Sequence, residues 1–199
     1  MNVVAITQRV IEASNYNERR DALDQRWISL LREANISPLI LPNHLDQAQT
    51  LLNTYPVKGI ILTGGNDLAE YGGDAPERDA LETWLLQHSY TNGLPLLGVC
   101  RGMQMIFHSE NIKLVKVENH VCAQQTIEID GQPQQVNSYH HWAAFNLPES
   151  YRCFANAKDN VIKAIQSNDG RVTGIMWHPE RITPFRPDDI QLLQRLFLQ

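Results

Sequence analysis

Three short runs of the chain are apolar along nearly their whole length: Val3 to Thr7, Gly59 to Thr63 and Leu94 to Val99. Runs of this length without alternation predict strands buried on both faces. Between them the apolar period lengthens to that of a helix. Residues 18–34 place Leu23, Trp27, Leu30, Leu31 and Ala34 on one face, His44 to Asn53 reads as a second helix, and Glu77 to His88 repeats the period through Leu81, Trp84 and Leu85. Ser37 to Leu41 reads as a short strand. Buried strands alternating with helices imply a parallel sheet covered on both sides. The second half changes texture. Leu114–Val117, Gln125–Ile129, Gln135–Tyr139, Tyr151–Asn156, Val161–Gln166 and Val172–Trp177 read as short strands joined by turns. Asp130-Gly131 and Asn168-Asp169-Gly170 are hairpin signals. A last helix opens near Pro187, with Asp188 and Asp189 in its first turn. The predicted class is α/β, mostly parallel with a late antiparallel section. No repeat, low-complexity tract or linker divides the chain, so residues 1–199 are expected to form one domain.

Composition narrows the class of partner. The hydrophobic fraction of 43% and charged fraction of 20% suit a globular protein with a sizeable core. No stretch approaches the ~20 apolar residues of a membrane span. Net charge is −5 with no basic stripe, which argues against nucleic acid as the main partner. Met1-Asn2-Val3-Val4-Ala5-Ile6-Thr7 runs straight into a strand without a basic leader, so no signal peptide is expected. Three cysteines fit a reducing compartment, and the expected location is the cytoplasm.

One cysteine is set apart by its neighbours. Cys100 lies in Gly98-Val99-Cys100-Arg101-Gly102, directly after the third buried run. Glycines two before and two after a residue at a strand end mark a nucleophile elbow, a strained turn from strand into helix that admits only small neighbours. The helix N-terminus there favours thiolate over thiol. Cys122 and Cys153 lack such surroundings and read as buried structural cysteines. Near the end of the chain stands Trp177-His178-Pro179-Glu180. In an extended stretch His178 and Glu180 share a face, which suits an imidazole oriented by a carboxylate. Sites in open α/β sheets form beyond the carboxyl ends of the strands. Gly64-Gly65-Asn66-Asp67 leaves such an end, so the Gly65 and Arg101 N–H groups are candidates for an oxyanion hole.

Together these residues resemble the class I, or triad, glutamine amidotransferases, and most closely their γ-glutamyl hydrolase branch. The resemblance covers nearly the whole chain. It is carried by Ile6-Thr7-Gln8-Arg9, Leu62 to Asp67, Glu77-Arg78-Asp79, Leu97 to Gln104, Val136 to His141 and Gly174 to Glu180. It implies a three-layer fold with Cys100 as nucleophile, His178 as base and Glu180 as its partner. Gly65 and Arg101 would supply the oxyanion amides. Gly64, Gln104, Asn137, Ser138, Tyr139 and His141 would serve the glutamyl group, the strand from Asn137 to Tyr139 largely through its backbone. No cofactor or metal is implied. The implied reaction is hydrolysis of a γ-glutamyl amide through a cysteine thioester, releasing glutamate from a small-molecule conjugate.

The chain also departs from the family. Trp142 stands where glutamine is usual after His-His, Met176-Trp177 replaces a glutamine–aromatic pair, and His108-Ser109-Glu110-Asn111 replaces a glycine-rich stretch. These changes are expected to fall on the leaving-group side of the pocket. Arg9 follows the first strand, and Arg19 and Arg20 start the first predicted helix. Facing the site, they would meet an anionic leaving group. Facing solvent, Arg19 and Arg20 would pair with Glu18, Asp21 and Asp24. Short relatives of this type occur in capsule-sugar pathways, where a γ-glutamyl nucleotide phosphoramidate loses its glutamyl group. Two alternatives stay open: a glutaminase subunit passing ammonia to a separate synthetase, and a non-catalytic binding relative that kept the scaffold.

Overall fold

The computed structural model describes residues 2–198. Its elements in chain order are β1 (Val3–Ile6), β2 (Arg9–Glu12), β3 (Arg19–Ala22), α1 (Arg26–Glu33), β4 (Ser37–Ile40), α2 (Leu45–Thr54), β5 (Ile60–Leu62), α3 (Pro76–Asn92), β6 (Leu96–Val99), α4 (Arg101–Ser109), β7 (Val115–Lys116), β8 (Val121–Ile129), β9 (Gln132–Tyr139), β10 (Trp142–Ala143), β11 (Tyr151–Ala157), β12 (Ile162–Ser167), β13 (Val172–Ile175) and α5 (Pro187–Phe197). A nine-stranded sheet runs in the order β4-β1-β5-β6-β13-β12-β11-β8-β9. Pairing is parallel from β4 to β13 and antiparallel from β13 to β9. The late strands thus extend the parallel sheet at the β13 edge.

The continuous apolar runs are explained by burial on both faces. Val4, Ile6, Ile61, Leu97 and Val99 face one cluster with Trp27, Leu30 and Leu31 of α1 and Leu193 and Phe197 of α5. Ala5, Ile60, Leu62 and Leu96 face the other, with Leu81 and Leu85 of α3 and Met103, Ile106 and Phe107 of α4. The Asp130-Gly131 turn joins β8 to β9 with positive φ at both residues, as its sequence requires.

The first predicted helix is shorter than its pattern. Residues 19–22 pair instead with Arg9–Glu12, so that Arg9 stands opposite Ala22 and Glu12 opposite Arg19. The helical period is real from Trp27 onward, but Arg19, Arg20 and Asp21 are exposed and have no core to face. The start signal is Asp24, whose carboxylate accepts from the Arg26 N–H at 3.0 Å. Arg19 therefore pairs with Glu12 and Glu77, and Arg20 with Glu18. Neither approaches the catalytic pocket. Cys122 and Cys153 are half-buried rather than fully buried.

Candidate active site

The carboxyl ends of β1, β5, β6 and β13 converge on one pocket of about 310 Å³. At its floor, Cys100 follows β6 with φ 53° and ψ −102°, a strained conformation for a residue with a side chain. Its two flanking glycines are required sterically. A Cβ on Gly98 would stand 2.6 Å from the Gly102 carbonyl carbon, and one on Gly102 would run into the Leu62 carbonyl oxygen. The Cys100 N–H is tied to the Ile175 carbonyl of β13 at 2.8 Å, so the elbow is fixed between two central strands.

His178 follows the end of β13 and lines the pocket together with Cys100. Its Nδ1 lies 2.8 Å from Oε1 of Glu180, and both side chains are buried. The stretch does not stay extended as expected. Pro179–Arg181 forms a 3-10 turn, started by proline, and the turn brings the pair together. Burial opposes charge on the imidazole, but the charge and hydrogen bond of Cys100 and those of Glu180 outweigh it. The His178 pKa is thereby raised to about 9. Asn137 clamps the same residue, accepting from the His178 N–H at 2.7 Å and donating to its carbonyl at 2.8 Å.

The loop after β5 holds the oxyanion candidates. Gly65 has φ 88°, open to glycine, and no hydrogen-bond partner for its N–H among the described residues. Arg101 is the first residue of α4, where an N–H has no intrahelical acceptor. Both residues line the pocket. A buried arginine that the sequence reading gave no role shapes this loop. The Arg78 guanidinium donates to the Thr63 carbonyl at 2.6 Å and to the Gly64 and Gly65 carbonyls, while its Nε donates to Glu82 at 2.9 Å. Three successive carbonyls drawn to one cation leave the Gly65 N–H turned the other way. Glu82 also binds the Arg101 side chain, and Thr7 donates to it at 2.8 Å. Burial acts against both charges. It pushes Arg78 down to about 10, whereas the Arg101 and Arg78 charges and the Thr7 hydrogen bond leave Glu82 below the usual carboxylate value. The readable signal was an Arg–Glu pair four apart at the start of an apolar helix.

The remaining sequence candidates separate into two groups. Arg9, Gln104, Tyr139 and His141 line the pocket. Gln104 donates to the Trp142 carbonyl at 2.9 Å, which fixes its amide. Gly64, Asn137 and Ser138 lie behind the lining. Ser138 donates to the His120 carbonyl at 2.8 Å and accepts from the buried Lys163 ammonium at 3.0 Å. Lys163 also donates to Nε2 of His140 at 2.7 Å, and the His140 Nδ1 donates to the Trp142 carbonyl. That arrangement makes His140 a neutral imidazole; burial, then the Lys163 charge, pushes it down to about 2. Burial likewise pushes Lys163 down to about 8. Lys163 was missed, although it is the one charged residue in Val161-Ile162-Lys163-Ala164-Ile165. The departures from the family pattern do not fall where expected. Trp142 packs on Tyr71, Trp177 donates to Asp189 in the core, and His108 pairs with Glu70, so none lines the pocket.

Gly64 gives a direct test of this geometry. A Cβ there would stand 2.5 Å from Cε1 of His178 and 3.4 Å from the Cys100 Cβ. Gly64→Ala is therefore expected to displace the imidazole and lower kcat by about 100-fold. The circular dichroism spectrum should stay that of wild type. Near-wild-type turnover by this variant would show that the ring tolerates the displacement.

A family model for class I glutamine amidotransferases matches residues 19–199. The chain belongs to that family. It is 33% identical over 199 residues to a γ-glutamyl-CDP-amidate hydrolase of Campylobacter jejuni, covering 98% of this chain and 96% of the relative. It is also 26% identical to part of a glutamine-hydrolyzing GMP synthase from Brachyspira hyodysenteriae, covering 75% of this chain but 29% of that protein. Among solved structures, a glutamine amidotransferase from Thermotoga maritima superposes with a TM-score of 0.67 at 17% identity, covering 90% of this chain and 76% of the other. The last comparison supports the fold alone. No helix among the described residues is long and apolar enough to cross a membrane.

Proposed function

We propose that this chain hydrolyses the bond between a glutamyl γ-carbonyl and the nitrogen of an anionic, nucleotide-type leaving group. The observation that carries the reading is the Cys100–His178–Glu180 chain opening on a pocket whose rim holds two arginines, Arg9 and Arg181. Arg9 is exposed, its side chain lies across Gly65, and its guanidinium makes no hydrogen bond or ion pair among the described residues. An unpaired guanidinium at the mouth of a catalytic pocket suits phosphate oxygens. The likeness to a γ-glutamyl-CDP-amidate hydrolase along the whole chain supports the same substrate class. A step of this kind would free a phosphoramidate from its glutamyl group, as capsule-sugar synthesis requires.

The mechanism follows from the groups present. The Cys100 thiolate attacks the γ-carbonyl carbon, and the oxyanion is held by the Gly65 and Arg101 N–H groups. The C–N bond breaks as His178 gives its proton to the departing nitrogen. A γ-glutamyl thioester remains on Cys100. Water, losing a proton to the same imidazole, attacks the thioester, releases glutamate and restores the thiolate.

Glutamine offers only ammonia to the outer half of the pocket, so binding energy available there stays unused. It is expected to be a poor substrate beside a γ-glutamyl nucleotide phosphoramidate. One charge-assisted contact is worth roughly 1.5–3 kcal/mol, about one to two decades in kcat/KM. Arg9→Ala should lower kcat/KM for the nucleotide substrate by that much more than for glutamine. Equal losses on both would place Arg9 in the fold or the glutamyl pocket and remove the anionic leaving group. The same glutamate-release assay separates the other readings. Turnover of glutamine only with an added synthetase would make the chain a glutaminase subunit, in line with its likeness to part of a GMP synthase. No release from any γ-glutamyl compound would make it a binding protein.

A further inference from the structure

Beside the catalytic pocket lies a second cavity of about 240 Å³, and the two share only Arg9 and Arg181. We infer that this second cavity, whose wall includes Arg9, Ala22, Leu23, Asp24, Glu180 and Arg181, receives the nucleoside of a nucleoside-diphosphate leaving group. The phosphates then lie at the junction between the two arginines. The inference rests on the hydrolase reading above and adds to it where the leaving group goes.

Charge at the junction is the first support. The Arg9 guanidinium has no ion pair among the described residues. Arg181 stands 5.4 Å over the Tyr139 ring, and its buried Nε makes no hydrogen bond. The carboxylate nearest it, Glu180 at 3.4 Å, is already engaged by His178, and Asp24, whose charge also feels Arg181, is held by Arg26. At the junction the Arg181 guanidinium and the His178 imidazole share Glu180, Asp24 is taken by Arg26, and the Arg9 side chain has no ion-pair partner among the described residues. A diphosphate supplies the missing negative charge, and its length separates the nitrogen at Cys100 from the sugar.

The walls of the second cavity are the other support. Ala22 and Leu23 are half-buried and apolar and suit a base and ribose face, backed by the buried Trp27. Asp24 adds an acceptor for an exocyclic amine, the pairing that a carboxylate makes with the amino group of cytosine. Arg26 holds that carboxylate ionised through bonds at 3.0 and 2.6 Å, and a carboxylate keeps further acceptor sites. The cleft of about 510 Å³ on the opposite side offers no such demand. Its Arg171 is paired with Asp169 and its Arg152 with Asp130.

The test is calorimetric binding of CDP, UDP and inorganic pyrophosphate to the wild-type protein, Ala22→Phe and Asp24→Asn. Wild type should bind CDP about tenfold or more tightly than pyrophosphate. Ala22→Phe, which fills the cavity, should erase that difference and leave pyrophosphate unchanged. CDP should also be preferred over UDP, whose base presents a carbonyl to Asp24, and Asp24→Asn should remove the preference. Equal binding of CDP and pyrophosphate by wild type overturns the subsite, as does parallel loss of both in Ala22→Phe. Should Ala22→Phe fail to fold, Asp24→Asn and the wild-type CDP/pyrophosphate ratio decide alone. These readouts are independent of turnover. Glutamate release from a γ-glutamyl nucleotide with no nucleoside contribution to binding would keep the hydrolase and discard the subsite; no release would discard the hydrolase.

Discussion

Cys100→Ala is expected to lower turnover by about four to six decades, the scale seen when a covalent nucleophile is removed. The fold should survive. The elbow depends on Gly98, Gly102 and the Cys100 N–H bond to Ile175, and alanine keeps all three. No other thiol can take over. Cys153 lies on β11, bonded to the Ala155 carbonyl at 3.3 Å, and burial pushes its thiol up. Cys122 lies on β8. Neither lines the pocket that holds His178. Cys122→Ala and Cys153→Ala should therefore stay within a few-fold of wild type. Rapid quenching of wild type with a γ-glutamyl substrate, followed by peptide mass spectrometry, should find the glutamyl adduct on Cys100. A near-normal rate in Cys100→Ala would end the thioester mechanism.

The sequence made the inner strands, the elbow and the order of the later hairpins legible because each leaves a local mark. A strand buried on both faces must be apolar throughout, as β1, β5 and β6 are. A crowded turn must spare its neighbours a Cβ, as Gly98 and Gly102 do. The β2–β3 hairpin left no such mark. Arg19-Arg20-Asp21-Ala22 is exposed and polar, and its partner strand lies seven to thirteen residues back across a turn. Its consequence for the site is large, since the hairpin places Arg9 at the pocket and Ala22 in the neighbouring cavity. The supporting shell was legible only as anomalies. Arg78 and Lys163 are charges in otherwise apolar surroundings, and nothing local says that one gathers the Thr63–Gly65 carbonyls and the other fixes the tautomer of His140. Such roles depend on contacts across the fold, between residues far apart in sequence.

The second large effect concerns the base and its carboxylate, which should fail in different ways. His178→Ala removes the group that moves the protons and should cost more than Glu180→Gln. Glutamine at 180 keeps an oxygen to accept from the His178 Nδ1–H but loses the charge, and a neutral replacement at this position of a triad costs up to about four decades. The pH dependence separates orientation from electrostatics. Negative charge at Cys100 and Glu180 holds His178 protonated to about pH 9. The imidazolium is the form that protonates the leaving nitrogen, so kcat/KM in wild type should fall as pH rises through about 9. Removing the Glu180 charge takes away one of the causes that raise this pKa. The alkaline limb in Glu180→Gln should therefore move to lower pH, and its direction is fixed by the sign of the lost charge. Because kcat/KM reports the free enzyme, the shift does not depend on the substrate chosen. A Glu180→Gln enzyme with wild-type activity would remove Glu180 from catalysis. One with reduced activity but an unmoved alkaline limb would reduce Glu180 to holding the ring in place.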